Sequence, residues 1–286
     1  MLMTMITASG CAAPVKKTLI TDLNTGFGAD SIISGKTGTP VSHAEMMKDL
    51  EDCRVLYIGE NHTDPLHHRI QLQILRDLTA RQDTAVGMEM IDHAYQPVLD
   101  KWSLGELNEQ ELLEKIHWYA NWRYDFDLYR DIFEIIREKH LPLIGLNLPF
   151  HIPPKIAVGG TGNLLPEDAA HLPQTLTLTD PDHRAYIENI FNIHQFKGRE
   201  NFDYFYEAQC AWEDAMAEAI AGHLDARKLI VLAGNGHIIK KFGLPNRAFS
   251  RARVPFKTLY LVPVGGRVEL SYGDYIWITG TDALNK

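Results

Sequence analysis

The chain lacks three features that would assign it to a well-defined class of proteins. It has three cysteines among 286 residues, too few for a disulfide framework. Its formal net charge is -9 and it has no Lys/Arg cluster, so the basic surface that nucleic-acid binding requires is missing. No stretch approaches the roughly 18 to 20 apolar residues of a transmembrane helix. We expect no nucleic-acid partner, and any membrane association must have another origin.

Three common signatures of chemistry are missing as well. The sequence has no Gly-x-Ser-x-Gly nucleophile elbow, no phosphate-binding glycine loop and no dinucleotide fingerprint after the first apolar strand pattern. Their absence disfavours a serine hydrolase, an NTPase and a classical dehydrogenase. The chemistry of this protein must rest on other residues.

The N-terminus carries a possible processing signal. Cys11 follows the small residues Ala-Ser-Gly, as in the processing site of a bacterial lipoprotein. The apolar stretch before it, 2–6, is shorter than the roughly 7 to 15 residues of a signal-peptide core, and no basic residue precedes it. The alternative is a disordered leader with an incidental cysteine. If Cys11 is the lipid anchor, the protein is attached to the membrane at the cell envelope.

Strand and helix patterns alternate along most of the chain. Short apolar runs typical of strands buried on both faces occur at 54–58, 84–88, 141–146, 228–233 and 257–262. Helical patterns occur between them, at 64–81, 125–139, 182–193 and 201–224. This alternation predicts an α/β fold with a mostly parallel central sheet that is flanked by helices on both faces.

Three segments complete the predicted organisation. Residues 1–44 are expected to form a partly disordered leader, and 45–286 a single α/β domain. The segment from Phe150 onward is rich in Pro and Gly and predicts a helical excursion, 150–225, within that domain. The runs 267–272 and 275–279 predict an antiparallel hairpin at the C-terminal edge of the sheet.

Polar side chains follow the ends of four predicted strands. Glu60 and His62 belong to a Gly-x-x-His motif after the first strand, and His237 ends a second such motif after a later strand. Glu89 and Asn147 follow two others. Ligands of open α/β sheets gather at the carboxyl ends of strands, so we expect these side chains to share one site. The motif glycines are expected to allow a close approach of the backbone to a ligand.

Histidines near these strand ends are of a type that binds first-row divalent ions. Two of them lie near the start of the helix 64–81, where the helix dipole favours the neutral imidazole that binds metal. The candidate metal ligands are His62, His67, His68 and His237.

Carboxylates beside these histidines extend the hypothesis to catalysis. Glu60 or Glu89 could complete the metal site, and the one not used as a ligand could act as general base on a metal-bound water. Gln209 and Glu213, one turn apart on the helix 201–224, could point towards the same strand ends. A metal-dependent hydrolase is therefore one hypothesis. The alternative is a polar network that fixes the loops without any metal.

A second group of candidates is aromatic. Tyr129 and Phe133 fall on one helical face, which favours packing in the core. Four further aromatic residues are too close in sequence to share a face: Trp118, Tyr119, Trp122 and Tyr124. Some of them must lie at a surface, a partner interface or a ligand. A flat apolar ligand such as haem would suit them, since Tyr or His can be an axial ligand of haem iron.

Five motifs, taken together, resemble the ChaN family of iron-regulated, haem-binding bacterial lipoproteins. They occur in order at 58–75, 87–102, 143–149, 208–220 and 233–247. The resemblance implies the fold of that family, haem as ligand with tyrosine ligation of its iron, a homodimer around the cofactor, and a role in iron acquisition at the outer membrane. The paired Gly-x-x-His motifs are shared more distantly with Tiki and TraB-type proteins and with erythromycin esterases.

The resemblance leaves the site residues partly open. It does not single out one haem ligand, and the candidates are Tyr95, Tyr119, Tyr124 and Tyr129. Similarity to Tiki proteins, which are metal-dependent proteases, implies His62 and His237 as metal ligands. We rank a haem-binding lipoprotein first, a metal-dependent esterase or peptidase second, and a purely structural polar cluster third.

Overall fold

The computed structural model describes residues 16–194, 198–224 and 227–280. Cys11, the predicted lipid anchor, lies outside these residues. Within the described ranges no helix is both long and apolar enough to cross a bilayer.

The strands account for every apolar run that predicted one. They are β1 (Thr18–Ile20), β2 (Thr25–Phe27), β3 (Ile32–Ser34), β4 (Pro40–Val41), β5 (Val55–Glu60), β6 (Thr84–Asp92), β7 (Leu143–Asn147), β8 (Lys228–Gly234), β9 (Phe256–Pro263), β10 (Arg267–Val268) and β11 (Tyr275–Thr279). Every residue of β5 to β8 is buried, as expected for strands covered on both faces.

The helices include the four that the sequence predicts. They are α1 (His43–Glu51), α2 (Pro65–Thr79), α3 (Gln96–Ser103), α4 (Glu109–Lys115), α5 (Trp118–Asn121), α6 (Arg130–Glu138), α7 (Ile152–Gly159), α8 (Pro166–Ala169), α9 (Pro181–His194), α10 (Phe202–Gly222), α11 (Asn235–Ile238) and α12 (Leu244–Ala252). Short 3-10 turns lie at Thr21–Leu23, His93–Tyr95, Phe126–Leu128, Thr161–Asn163, Ile239–Lys241 and Leu270–Tyr272.

Helix starts follow local capping chemistry. Ser42 and Glu45 form a reciprocal capping box at α1. The carboxylate of Asp64 accepts the Leu66 N–H at the start of α2, and Pro65 occupies the first turn. These caps fix where the chain enters the helices that cover the sheet.

The central sheet confirms the predicted α/β class. Its strand order is β4-β3-β11-β9-β5-β8-β6-β7, and the six strands from β11 to β7 run parallel. One apolar layer packs α1, α2, α3 and α6 on one face. A second layer packs α10, α11 and α12 on the other. Helices cover both faces of the sheet, so the carboxyl ends of the strands are left uncovered.

The C-terminal edge is antiparallel, but its strand pairing differs from the predicted hairpin. β11 pairs in parallel with β9 and antiparallel with β3, while β10 leaves this sheet and pairs in parallel with β1. A turn at Gly273-Asp274 is a local signal, whereas β11 pairs with β3, far away in the chain, and with β9 rather than with the adjacent β10. Asp274 instead accepts the backbone N–H of Thr258 on β9, which directs β11 alongside that strand.

Residues 18–41 also differ from the predicted leader. β1, β2 and β10 form a small separate sheet, and β3 and β4 extend the central one. Ile33 is opposite Ile276 in the pairing of β3 with β11, and both are fully buried. The sequence signal was weak here because each strand has only two or three residues.

The excursion 150–225 contains α7 to α10. Its own apolar layer packs α7, through Ile152 and Ile156, on small residues of α10, including Ala208 and Ala211. α10 also packs on the central sheet through Met216 and Ile220. α10 thus connects the excursion with the carboxyl ends of the strands.

Candidate functional site

Five titratable side chains meet at the carboxyl ends of the strands. β5 ends at Glu60, β6 carries Glu89, and His62 and His237 follow β5 and β8. Glu213 comes from α10. We call these five residues the strand-end cluster. β5, β8 and β6 are neighbours in the sheet, and this adjacency brings together residues that are far apart in sequence.

Glu60 is a fully hydrogen-bonded buried carboxylate. Its Oε1 accepts from the Tyr129 hydroxyl at 2.6 Å and lies 2.8 Å from His62 Nδ1, and its Oε2 accepts from Gln71 Nε2 at 2.8 Å. Burial raises the pKa of Glu60, but the bond to His62 and the charges of His62 and His68 outweigh it and lower the pKa. Glu60 therefore stays ionised and orients the imidazole of His62.

His62 is the member of the cluster that solvent reaches, with 24% of its side chain exposed. Burial opposes its charged form, but the hydrogen bond to Glu60 and the charges of Glu89 and Glu60 raise its pKa. The ring lies against the backbone of Gly234, where an added Cβ would be 2.8 Å from His62 Cε1. Glycine at this position is needed because the imidazole occupies the space of a side chain.

Glu89 and His237 form a second carboxylate–imidazole pair. Glu89 Oε2 accepts the Gly234 N–H at 2.6 Å, and its Oε1 lies 3.4 Å from His237 Nε2. Burial raises the pKa of Glu89, yet the charges of His237 and His62 bring it down to about 2. Both Gly-x-x-His imidazoles thus act on one carboxylate, His237 through direct contact and His62 through its charge.

Glu213 holds His237 from the opposite side. Its Oε1 lies 3.2 Å from His237 Nδ1, and its Oε2 lies 3.1 Å from His183 Nε2 and forms an ion pair with Arg247 Nε at 3.3 Å. Burial lowers the pKa of His237, but Glu89 and Glu213 together raise it to about 10. His237 is therefore held as an imidazolium between two carboxylates.

This arrangement can hold and exchange protons. The cluster combines ionised carboxylates with two imidazoles of raised pKa, and none of its members is a nucleophilic Ser, Thr or Cys. His62 is oriented by Glu60 and partly exposed, so it can donate a hydrogen bond or a proton to a ligand. The other members are buried and set its charge and position.

The metal prediction is corrected by the positions of His67 and His68. His67 Nδ1 accepts the Asn61 N–H at 2.8 Å, and His68 Nε2 donates to the His62 carbonyl at 3.1 Å. Burial lowers the pKa of His67 to about 4. Both rings are buried in the first turn of α2, where one nitrogen of each binds the backbone and the other faces Asp64 or Gln71 rather than a site shared with His62.

Among residues 16–194, 198–224 and 227–280, no three His, Cys, Asp or Glu side chains are placed so that they could hold a metal ion. His62, His67, His68 and His237 are therefore not supported as a divalent-metal site. His62 and His237 are instead each bound to carboxylates, because a buried imidazolium needs a buried counter-charge.

Asn147 and the first motif glycine have structural partners. Asn147 Nδ2 donates to the Glu89 carbonyl at 2.7 Å, and its Oδ1 accepts the Leu148 N–H. A Cβ on Gly59 would lie 2.1 Å from Asn235 Oδ1. The glycines allow close approach, as predicted, but the groups that approach Gly59 and Gly234 are protein side chains.

The four candidate haem tyrosines fall into different environments. Tyr129 is fully buried, and burial together with Glu60 raises the pKa of its phenol. Tyr95 is half-buried, and its oxygen accepts from Asn121 Nδ2 at 3.1 Å. The half-buried Tyr124 packs on His62 with ring centroids 4.8 Å apart. Tyr119 is 62% exposed.

Tyr119 lies in a shallow groove of about 550 Å³. Leu113 of α4, His117 and Trp118 line the same groove. The groove also contains Glu109, whose carboxylate forms a bidentate pair with Arg130 at 2.9 and 3.0 Å. Tyr119 is therefore the candidate whose phenol can meet an external ligand without rearrangement of the core.

The comparisons with known proteins place the chain in a family. Residues 46–248 match the model of the family described as haem-binding uptake, Tiki superfamily, ChaN. This chain belongs to the ChaN family. The assignment confirms the resemblance that the ordered motifs carry. No curated protein matches the chain in sequence.

Solved structures share the fold of this ChaN-family protein. ChaN of Campylobacter jejuni, whose structure concerns cofacial haem binding, superposes with a TM-score of 0.69 and 21% identity, over 86% of this chain and 95% of that one. A weaker match is a mutant of the erythromycin esterase EreC in its open conformation, with a TM-score of 0.49 and 14% identity over 82% of this chain and 77% of that one.

Sequence reasoning anticipated some contacts of this ChaN-family site and missed others. Gln209 and Glu213 were expected near the strand ends, and Gln209 Nε2 indeed lies 3.3 Å from His237 Nδ1. The contacts of Tyr129 with Glu60 and of Arg247 with Glu213 were missed. No local pattern indicates them, because the partners are 69 and 34 residues apart and meet only through packing.

Proposed function

We propose that this protein binds haem in the groove of α4 and α5 and that it serves haem or iron acquisition. The family match over residues 46–248 is the observation that carries the proposal. The groove supplies a fitting donor set, since Tyr119 offers an exposed phenol beside the apolar side chains of Leu113 and Trp118. Tyr119 would hold the haem by supplying its phenol oxygen as a ligand of the iron.

The other candidate tyrosines fit this role less well. The Tyr129 hydroxyl donates to Glu60, so its use as a ligand would leave a buried carboxylate without that bond. Tyr95 is tied to Asn121, and Tyr124 covers His62. Tyr119 has no such contact with any residue that the structure describes, and it lies at the surface.

The open groove bears on the oligomeric state. A haem lying in a shallow groove leaves one porphyrin face uncovered, and burial of that apolar face against a second copy would stabilise a dimer. ChaN of Campylobacter jejuni binds haem cofacially. By analogy we propose a homodimer in which two haem groups face each other.

Attachment to the membrane is a separate part of the proposal. Cys11 and the small residues before it support a lipid anchor, which would hold the protein at the cell envelope, on the outer membrane or at its periplasmic face. Incorporation of labelled palmitate into the wild type, but not into Cys11→Ser, would support the anchor. Equal labelling of both proteins would reject it.

A hemin titration tests the haem site. We expect saturable binding with a changed visible spectrum, a roughly tenfold or larger loss of affinity in Tyr119→Phe, and a different ligand-field spectrum in Tyr119→His. Tyr204→Phe is the matched control, since Tyr204 is also exposed but does not line the groove. A wild-type spectrum equal to that of free hemin would reject the function, and unaltered binding in Tyr119→Phe would reject the assigned ligand.

Sedimentation analysis of the same proteins tests whether hemin produces the proposed dimer. Hemin should convert wild-type monomer to dimer, and Tyr119→Phe should weaken this conversion because less haem is bound. A wild type that remains monomeric when saturated with hemin would contradict the cofacial arrangement.

A further inference from the structure

A second cavity, of about 610 Å³, lies beneath the helical excursion. Its volume is within the roughly 300 to 1,000 Å³ of small-molecule sites. The aromatic rings of Phe150, Phe205 and Trp212 contribute to a wall that is mainly apolar. We call this space the excursion cavity.

The charged side chains that line the excursion cavity in the described part of the chain are all positive. Arg123 and Arg199 line it, and no Asp or Glu among the described residues does. Neither guanidinium group has a hydrogen-bond or ion-pair partner among the described residues. In contrast, Arg130 and Arg184 elsewhere on the surface pair with carboxylates. Two arginines without a carboxylate partner in the described part of the chain thus line the wall of one cavity.

His151 is the remaining titratable residue of this wall. Its Nε2 lies 2.8 Å from Asp168, and the same carboxylate pairs with Lys155. Asp168 itself does not line the cavity, and its charge is matched by that of Lys155. The wall therefore offers positive charge without a competing anion.

The excursion cavity borders the strand-end cluster on two sides. Gln209 and Trp212 line the cavity and also contact His237, with Trp212 and His237 ring centroids 5.0 Å apart. On the other side, Phe150 packs on Trp122, which in turn packs on His62. An occupant would lie one side chain away from His237 and two side chains away from His62.

We propose that the excursion cavity binds an amphipathic organic acid. The apolar body lies against Phe150, Phe205 and Trp212, and the acidic group binds Arg123 and Arg199 through charge-assisted hydrogen bonds. No tyrosine lines this cavity, so the site is distinct in chemistry from the groove of Tyr119 and stands without the proposed haem function. The carboxylates of haem and those of a separate small acid share the required chemistry.

Two fluorescent probes with the same type of ring system test the role of charge. Anilinonaphthalene sulfonate is an aromatic anion, and phenylnaphthylamine is its uncharged analogue. On the full chain we expect saturable binding of the anion with one site per protein. Its affinity should fall roughly ten- to hundredfold in the double variant Arg123→Gln/Arg199→Gln, while the neutral probe should bind as before.

The control is Arg267→Gln, which removes an exposed arginine on β10 that does not line the cavity. It should bind both probes like the wild type. Unchanged affinity for the anion in the double variant would overturn the proposal. Loss of the neutral probe together with the anion would also overturn it, because the arginines would then maintain the shape of the cavity and not recognise charge.

Competition with hemin identifies the source of the acid. Hemin that displaces the anionic probe from the wild type, but not from the double variant, assigns the site to the carboxylates of haem. Hemin that binds without displacing the probe assigns the site to a separate organic acid. If hemin does not bind at all while the arginine-dependent probe binding persists, the proposed function fails and the acid site stands.

Discussion

The Tyr129 hydroxyl donates a 2.6 Å hydrogen bond to Glu60 Oε1, the same oxygen that lies 2.8 Å from His62 Nδ1. One carboxylate oxygen thus connects the aromatic core under α6 to the first Gly-x-x-His motif. This contact assigns Tyr129 to the support of the strand-end cluster, although its sequence position also made it a candidate haem ligand.

Tyr129→Phe should therefore lower stability without a loss of hemin binding. Removal of the hydroxyl leaves a buried carboxylate with one donor fewer, at a cost of about 1 to 3 kcal/mol in the free energy of unfolding. Urea denaturation measures the loss, and a hemin titration of the folded variant checks the ligand. The opposite result, normal stability with reduced hemin affinity, would move the haem ligand from Tyr119 to Tyr129.

Gly234→Ala should displace the ring of His62. The new Cβ would be 2.8 Å from His62 Cε1, so we expect a loss of about 1 to 3 kcal/mol in the free energy of unfolding and a shift of the His62 imidazole resonances. Gly236→Ala is the matched control, because no atom lies within 4 Å of the added Cβ. Equal effects of the two substitutions would show that His62 does not press on Gly234.

The pair of carboxylates around His237 predicts a loss of stability at alkaline pH. The pKa of His237 is raised from about 6.5 to about 10, so the stabilisation is complete below about pH 6.5 and is lost as the pH rises through about 10. Between these values the proton on His237 adds a downward slope of at most about 1.4 kcal/mol per pH unit. His237→Gln should remove this contribution to the slope.

The test of that prediction is urea unfolding of wild type and His237→Gln across the same pH window. His223→Gln is the control, since His223 is exposed near the end of α10 and its side chain contacts the backbone carbonyl of Ala219 in the same helix, away from Glu89 and Glu213. The control should keep the wild-type slope. Parallel slopes for wild type and His237→Gln would contradict an imidazolium held by Glu89 and Glu213.

Arg247 should be one of the side chains most sensitive to replacement. It is 5% exposed and pairs with Asp214 at 2.5 Å and with Glu213 at 3.3 Å. Arg247→Leu removes the cation that lies between these two buried carboxylates; Glu213 keeps His237 and Asp214 keeps Arg251, and we expect a cost of about 3 to 5 kcal/mol in the free energy of unfolding.

The control for Arg247 is a surface pair. Arg184→Leu removes the exposed contact with Asp203 and should cost about 0 to 1 kcal/mol. Thermal or urea denaturation ranks the two variants. Similar costs for both would mean that Glu213 and Asp214 do not depend on Arg247 for their charge balance.

Much of the fold could be predicted because its signals are local. A buried strand such as β8 needs a short apolar run, and a helix such as α2 needs an apolar stripe with a cap at Asp64. The pairing of β11 with β3 could not be predicted in this way. Ile276 and Ile33 are opposite each other although more than two hundred residues separate them, and a turn signal at Gly273 carries no information about such a partner.

The candidate site shows the same division. The types of residue at the strand ends were readable, since Glu60, His62, Glu89 and His237 follow apolar runs directly. The contacts that these side chains make could not be predicted from the sequence. His67 and His62 have the same side chain and lie five positions apart, yet one binds the backbone in a buried turn and the other lies partly exposed against Gly234.

The sequence by itself determined the class of fold, the positions of the parallel strands and the residue types presented where those strands end, because each depends on the order of apolar and polar residues along a short segment. Only the tertiary structure decided which carboxylate each imidazole binds, which candidate haem tyrosine stays at the surface and where two arginines have no partner among the described residues. These outcomes depend on burial and on distances between segments remote in the chain, and burial sets the cost of leaving a charge without a partner.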